Sequence, residues 1–450
     1  MTSEVNTGVE ISVVIPTYED AQCLELTLRS LRRQSLAPER FEVIVVRDGG
    51  DGGEYTDVAD AGKGLNLRLV ELPERQGRAA ARNAGVRHAS ADLLLFLDSD
   101  SYATPELVER HLMHHRGAGR PAVLLGRRDE LGLPYVNAAL AGEPTIPVPH
   151  RRADGGGDLR FPAGVAPVGE EWLQAGWMFA YTHNVSVSRA LFDAVGGFDE
   201  RFGLRWGLED IELFYRVHEH LGLHDRNFAF DEAAAAYHLP HHRNVDRNWQ
   251  EFGTNRSLAA EKYLILEWEF FGMLDVYDSA ERVVGYRAAI ADCLARSACR
   301  IGTAVALLTP QLPGERVLWV GTGSDRTTLP EGAVTFDFSV PVSATNHHLI
   351  GMDPPIAPGS LDAVVSVDFW RYLRWEEFCQ FVNVGGALAG EVHLVHTGAE
   401  LANAVAPDMS TFGYLTRVLR TAFDSTVGEV EGLGTVLRLR PRVPPALPAE

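Results

Sequence analysis

The chain has 450 residues, 46% of them hydrophobic and 23% charged, and a formal net charge of −20 at pH 7. That composition belongs to an ordinary globular protein with room for two or three cores, and it excludes a disordered chain or a small disulfide-built scaffold. The acidity argues against nucleic acid or an anionic membrane surface as partner, because phosphate binding draws on basic surface; a local basic pocket stays compatible with it.

Of the 41 basic residues only Lys63 and Lys262 are lysine, the bias of a GC-rich, bacterial coding genome, and no function follows from it. The cysteines Cys23, Cys293, Cys299 and Cys379 show neither metal-ligand spacing nor disulfide density, which points to a reducing compartment. Cys293 and Cys299 read as core residues of a helical segment. The start, MTSEVNTGVEISVVIPTY, has no basic region followed by an apolar core, and no window is apolar enough for a membrane span. A cytoplasmic protein without a membrane span is expected.

In chain order, strands are predicted over residues 11–16, 41–47, 67–72 and 91–97, with helices over 21–34 and 78–89. Strands alternating with helices across short loops imply a parallel sheet covered on both faces. Residues 117–169, rich in Gly, Pro and Arg, read as a long irregular insertion. Apolar periodicity returns over 177–238, and 248–308 is predicted largely helical. The segment PQLPGE at 310–315 marks a boundary, after which 316–321, 334–338, 361–367 and 391–396 read as strands of a second unit. The fold class is therefore α/β: a Rossmann-like sheet, a helical bridge and a second, smaller α/β domain. The expected bounds are 1–265, 266–309 and 310–440, with a Pro-rich tail over 441–450.

The stretch LLLFLDSDSY, residues 93–102, ends a buried run in Asp98 and Asp100. Ligands of open α/β sheets gather at the carboxyl ends of strands, and two acids there can hold a divalent cation and the diphosphate it neutralises. An Asp-x-Asp pair alone is also what a solvated strand end looks like, so the surrounding motifs decide. Glu209 and Asp210 precede IELFYRV, which has helical spacing, so both acids open a helix whose dipole favours their charge.

Six segments, SVVIPTYED, VIVVRDGGDGG, GRAAARNAG, LDSD, GGFDERF and WGLEDIEL, occur in the order and spacing of family 2 glycosyltransferases with the GT-A fold. The chain resembles that family over roughly residues 10–265. The resemblance implies a GT-A nucleotide-sugar-binding domain and a metal-dependent, inverting, hexosyltransferase-type reaction. In it, Pro16, Thr17, Tyr18 and Glu19 form the loop that grips the nucleobase together with Asp48. Asp48 would accept from an imide N–H of a pyrimidine, which favours UDP or dTDP donors; Arg47 stands where the family has a further acid. Arg82, with Arg78, would face the nucleotide, and Asp98 would touch the ribose or reach the metal through water. Asp100 is the implied direct ligand of Mn²⁺ or Mg²⁺, and His238 closes the site from the far side, with His241 and His242 as competing candidates.

Asp210 is read as the base that takes the acceptor's proton, and Glu209 as an acceptor-binding partner. Trp206 is read as a donor- or sugar-contacting ring; Trp177 is a second stacking candidate, and either ring suits a core equally well. The implied partners are a nucleoside-diphosphate sugar and a glycan, peptide or small-molecule acceptor, with no nucleic acid. Two other classes compete. A sugar nucleotidyltransferase would carry a Gly-rich arginine loop and a lysine near the N-terminus, and PTYED offers neither. A catalytically silent sugar-nucleotide-binding scaffold is disfavoured by two intact acidic motifs.

RVLWVGTGSD, VTFDFS and LDAVVSVDFWRYL, starting at residues 316, 334 and 361, resemble the nucleotide-binding core of class I methyltransferases. Asp325 replaces the third glycine and Trp319 the acid of the first strand. The resemblance implies a degenerate methyltransferase-like domain used for homodimerisation or for presenting the acceptor, with a working S-adenosylmethionine enzyme as the alternative.

Overall fold

The structure is a computed structural model that describes residues 8–131 apart from 51 and 56, the single residues 136, 158, 160 and 161, and then 168–222, 226–271, 276–325, 327–406 and 408–442. Two compact units emerge. Met1–Leu258 and Asp275–Glu281 form one; Ala259–Leu274 and Arg282–Glu450 form the other.

The first unit is a mixed sheet of eight strands among the described residues: β1 Ile11–Thr17, β2 Phe41–Asp48, β3 Leu67–Leu72, β4 Leu93–Leu97, β5 Ser101–Ala103, β6 Val123–Glu130, β7 Asn184–Ser188 and β8 Phe228–His238. They lie in the order β3-β2-β1-β4-β7-β6-β8-β5. β1 to β4 run parallel; β1, β2 and β4 are near-continuously apolar, as strands covered on both faces are, while β3, LRLVEL, is the half-exposed edge strand. The helix Ala21–Leu31 lays Leu24, Leu28 and Leu31 over Ile11, Val13, Val43 and Leu95 on one face. The helix Arg78–His88 covers Ile44 and Val46 on the other with Ala81 and Ala84. That helix sits close because residue 85 is glycine: a Cβ there would lie 2.4 Å from the Val14 side chain. This α/β core, with a second sheet in the other unit, is the architecture expected.

Three expectations change. The first helix ends at Leu31, three residues early, and β4 begins at Leu93. More consequentially, Val123–Glu130 lies inside the expected irregular insertion yet is an inner strand between β7 and β8. Only its first half, VLLG, is apolar; the charged half, RRDE, follows a register shift at Gly126/Arg127 and runs toward the acidic strand ends. Most of the rest of that stretch lies outside the described residues. Among the described residues, no helix is long and apolar enough to cross a membrane.

The second unit holds β9 Val317–Gly321, β10 Val334–Asp337, β11 Ala363–Val367, β12 Val392–His396, β13 Phe423–Val430 and β14 Gly434–Pro441, in the order β10-β9-β11-β12-β14-β13. β9 to β12 are parallel; β14 enters antiparallel between β12 and β13. The helices Leu266–Phe270 and Ile301–Leu308, expected as a bridge, belong to this unit. Glu269 anchors the first of them by accepting N–H bonds from Ile350, Gly351, Met352 and Asp353. Cys299 is not helical: it sits in the turn after the helix Val276–Arg296, at φ 56°, 3.2 Å from the Cys293 sulfur.

Candidate active site

The carboxyl ends of β1, β2 and β4 bring Pro16 and Thr17, Asp48, and Asp98 with Asp100 to one edge of the first sheet. Pro16 and Thr17 are buried, Tyr18 is half-buried and Glu19 is exposed at φ 50°. The Arg75 guanidinium lies 4.2 Å from the centre of the Tyr18 ring, a cation–π contact that sequence reasoning missed. Asp48 is turned inward: Oδ1 accepts from Gln76 N at 2.6 Å and Oδ2 from Gly77 N at 2.7 Å. Its carboxylate thus builds the turn that starts the helix Arg78–His88, and Arg47 ties the following loop through the Gly50 carbonyl. Gly77 itself has φ 95° and packs where a Cβ would strike the Gly203 carbonyl at 2.1 Å. This close approach carries the 203–208 loop, and so Glu209, to the nucleotide side.

Arg82 is the junction. It is buried, donates through Nη2 to Asp98 at 2.9 Å and through Nη1 to Glu209 at 3.0 Å, and so joins acids 111 residues apart in sequence. Arg78 lies exposed at the head of the same helix. Arg82→Leu would leave two carboxylates, one fully and one partly buried, without their counter-charge. We expect a loss of about 3–5 kcal/mol in urea denaturation at pH 7, partly recovered by adding Glu209→Gln.

Glu209 and Asp210 begin the helix Glu209–Leu221, whose free N–H groups favour their charge. Asp210 accepts from its neighbour Ile211 N at 2.8 Å and from Thr182 N at 3.3 Å. Burial first, and then the Glu209 carboxylate, push the Asp210 carboxyl up to about 7, against the pull of Arg82. Trp206 lies just ahead of these acids. Its backbone N–H donates to Glu251 at 2.9 Å, and its ring faces Phe252 at 5.9 Å and Trp249 at 6.4 Å. Trp249 is 60% exposed, so this aromatic face is open to solvent. Trp177, by contrast, is 0% exposed and packs edge-on against Tyr215 at 5.0 Å; it is a core residue, not a stacking platform.

Asp100, His238 and His241 form a cluster whose ligand atoms lie within 4.8 Å of one another. His238 ends β8 beside β5, and the Leu239 N–H donates to the Asp100 carbonyl at 2.7 Å, which brings the two residues together. His238 Nε2 lies 3.3 Å from Asp100 Oδ2, and His241 Nδ1 3.2 Å from the same oxygen. The other His238 nitrogen, Nδ1, meets Glu130 Oε2 at 2.9 Å. A carboxylate on one imidazole nitrogen presents the other as a lone pair, the arrangement that orients histidine ligands of metals. His242 is not in the cluster. Burial opposes ionisation of Asp100, but the His238 hydrogen bond and the neighbouring histidines outweigh it and hold the carboxyl below its usual range.

The group fits a divalent cation on one further observation: Asp100 Oδ1 is buried and has no hydrogen-bond partner among the described residues. Arg243 stands against His238 and, through Nε, 3.1 Å from His241 Nε2, adding a cation at the rim. Glu130 and Arg243 were not foreseen. Glu130 lies in the stretch read as irregular, and only the β6–β8 register, Glu130 opposite His238, reveals it.

Residues 12–142 match the family model of glycosyl transferase family 2, and residues 176–242 that of the N-terminal domain of galactosyltransferase. Validoxylamine A glucosyltransferase of Streptomyces hygroscopicus subsp. limoneus is 38% identical over 221 residues, 47% of this chain and 48% of that protein. The chain thus spans about half the length of the first curated relatives it matches. Among solved structures, S. aureus TarS 1-349 in complex with UDP-GlcNAc is 17% identical, with a TM-score of 0.41, covering 62% of this chain and 72% of that one. The Pyrobaculum calidifontis mannosyltransferase in complex with GDP-Man and Mn²⁺ gives 19% identity and a TM-score of 0.39, covering 67% and 81%.

Proposed function

We propose that this chain, which carries a glycosyltransferase family 2 domain, moves a sugar from a nucleoside-diphosphate sugar to an acceptor hydroxyl or amine with inversion at the anomeric carbon. The observation that carries the reading is the Arg82 bridge. One buried guanidinium ties Asp98, on the strand-end nucleotide side, to Glu209, beside the acid whose protonation responds near neutral pH. The 38% identity to a glucosyltransferase supports the same reaction class.

In this reading the loop 16–19, with Tyr18 stacked on Arg75, meets the nucleobase; each Asp48 oxygen accepts one backbone N–H and keeps a further lone pair for the imide N–H of a pyrimidine. Asp100, His238 and His241 would hold a divalent cation, Mn²⁺ or Mg²⁺, which when bound would neutralise the departing diphosphate. Arg243 adds positive charge on the same side. Asp210 takes the acceptor proton as the nucleophile attacks opposite the leaving group, and Thr182 N–H with Ile211 N–H fixes the carboxylate's orientation. Glu209, held by Arg82, keeps one oxygen with no partner among the described residues, open to an acceptor or donor hydroxyl. The aromatic face of Trp206, Trp249 and Phe252 suits the apolar face of a saccharide- or cyclitol-like acceptor.

For the second unit we propose a methyltransferase-like sheet without its cofactor chemistry, serving homodimerisation or acceptor presentation. The β9 loop and the acid that ends β10 satisfy each other. Asp337 accepts from Gly323 N at 3.1 Å, Ser324 N at 2.6 Å and Ser339 N at 2.8 Å, and takes both serine hydroxyls as well. A carboxylate so saturated has little left for a ribose.

The test is nucleoside diphosphate release from UDP-, dTDP- and GDP-sugars with Mn²⁺, with and without chelator. Slow hydrolysis of one donor that requires the metal is expected. No turnover and no calorimetric binding across the panel would leave the sugar-nucleotide-binding scaffold with no ligand and the transferase with no donor, and would sink both.

A further inference from the structure

We propose that His183 supplies a further imidazole nitrogen to the divalent cation at Asp100, which makes the centre nitrogen-rich and sets its choice of metal. The proposal rests on the reading of Asp100, His238 and His241 as a cation site. His183 immediately precedes β7 and is 4% exposed. Neither of its ring nitrogens has a hydrogen-bond partner among the described residues. Buried imidazoles are almost always satisfied, since a neutral ring carries one donor and one acceptor that water would otherwise meet, so an orphan on both sides calls for a ligand.

Its position says which ligand. The His183 ring centre lies 5.7 Å from that of His238, close to the 5.2 Å that separates His238 from His241. The residue's backbone is pinned on both flanks: its carbonyl accepts from Ser101 Oγ at 3.4 Å, next to Asp100, and the preceding Thr182 N–H reaches Asp210. Among the described residues the ligand atoms that lie within 4.8 Å of one another are those of Asp100, His238 and His241, so His183 joins them by turning its ring as the ion binds. The two arginines whose charge is felt at His183 are each paired, Arg128 with Glu130 and Arg160 with Asp158, both at 2.8 Å, which leaves Arg243, against His238 and His241, as the cation that must swing away when the ion binds. Three imidazoles and one carboxylate suit Mn²⁺, Co²⁺ or Zn²⁺ over Mg²⁺, which prefers oxygen and keeps its waters.

The experiment is pulsed electron paramagnetic resonance on the full chain loaded with Mn²⁺ alone, counting imidazole nitrogens coupled to the ion, with Mn²⁺ and Mg²⁺ affinities measured alongside. Three coupled imidazoles are expected, falling to two in His183→Gln with about a 10-fold or greater loss of Mn²⁺ affinity and little change for Mg²⁺. A native count of two, which needs no variant to fold, or a count and affinity unchanged in His183→Gln, overturns the proposal and leaves the imidazole to a water or to the donor. Asp100→Asn separates the two levels. If it abolishes Mn²⁺ binding while His183→Gln has no effect, only His183 is wrong. If Mn²⁺ binding survives it, or the native chain shows no imidazole coupling at saturating Mn²⁺, the cation site itself fails and His183 with it.

Discussion

Asp210→Asn is expected to lower kcat by about 10²- to 10⁴-fold, the range a positioned base contributes, and to remove the pH dependence of what remains. A base acts only when ionised. With the Asp210 carboxyl pushed up to about 7 by burial and by Glu209, native activity should climb as pH rises through about 7 and then level. Stability should move the other way. The folded-state value lies above the ordinary carboxylate value of 3.8, so the fold binds the proton more tightly than the unfolded chain does. This contribution is fully present below about pH 4 and is lost as pH rises through about 7. Asp210→Asn removes that slope, so its melting temperature relative to the native chain should rise between pH 4 and 8. Activity lost with stability gained is the signature of a buried acid kept for chemistry. A variant that loses both, or a native pH profile flat from 5 to 8, would assign the base elsewhere.

The parts of the fold that are legible in the sequence are those whose burial is uniform along an element. LLLFL and ISVVIPT are covered on both faces, so every residue reports the same environment and the strands announce themselves. VLLGRRDE is buried along its first half and charged at the end that reaches the site, so its composition follows position along the strand more than strand type. FAFDEAAAAYH carries an alanine run that by propensity favours helix, yet it lies between β6 and β5, where tertiary pairing overrides the preference.

The site divides the same way. Asp98, Asp100, Arg82, Glu209 and Asp210 stand in motifs, whereas His238 is one of three candidate histidines; the fold sets Asp98 and Glu209 on Arg82, and His238 with His241 on Asp100. Glu130, Arg243 and Arg75 acquire meaning only from register, from a turn and from a stacked ring, none of which has a local sequence signature. Asp48 teaches the converse. Its placement at the end of β2 was readable, but its two backbone partners, Gln76 and Gly77, were not.

The second large effect should separate two acids one residue apart. Along a strand, residues i and i+2 share a face, and a bare Asp-x-Asp would suggest a joint task. Here β4 ends at Leu97, and beyond it the chain turns into β5, so the two carboxylates diverge: Asp98 faces Arg82, Asp100 faces His238 and His241. Asp100→Asn keeps the volume but removes the only carboxylate of the Asp100, His238 and His241 group. Nucleoside diphosphate affinity measured by calorimetry with Mn²⁺ should fall about 100-fold, to the level the native chain shows with chelator, and adding metal should no longer help. Asp98→Asn breaks the Arg82 ion pair but leaves that cluster whole. It should weaken nucleotide binding while preserving the difference between metal and chelator, and it should lower stability, because Arg82 loses one of the two carboxylates it donates to. Equal loss of metal response in both variants would mean that the two acids act as one ligand set, and the division of labour drawn from the Arg82 bridge would be wrong.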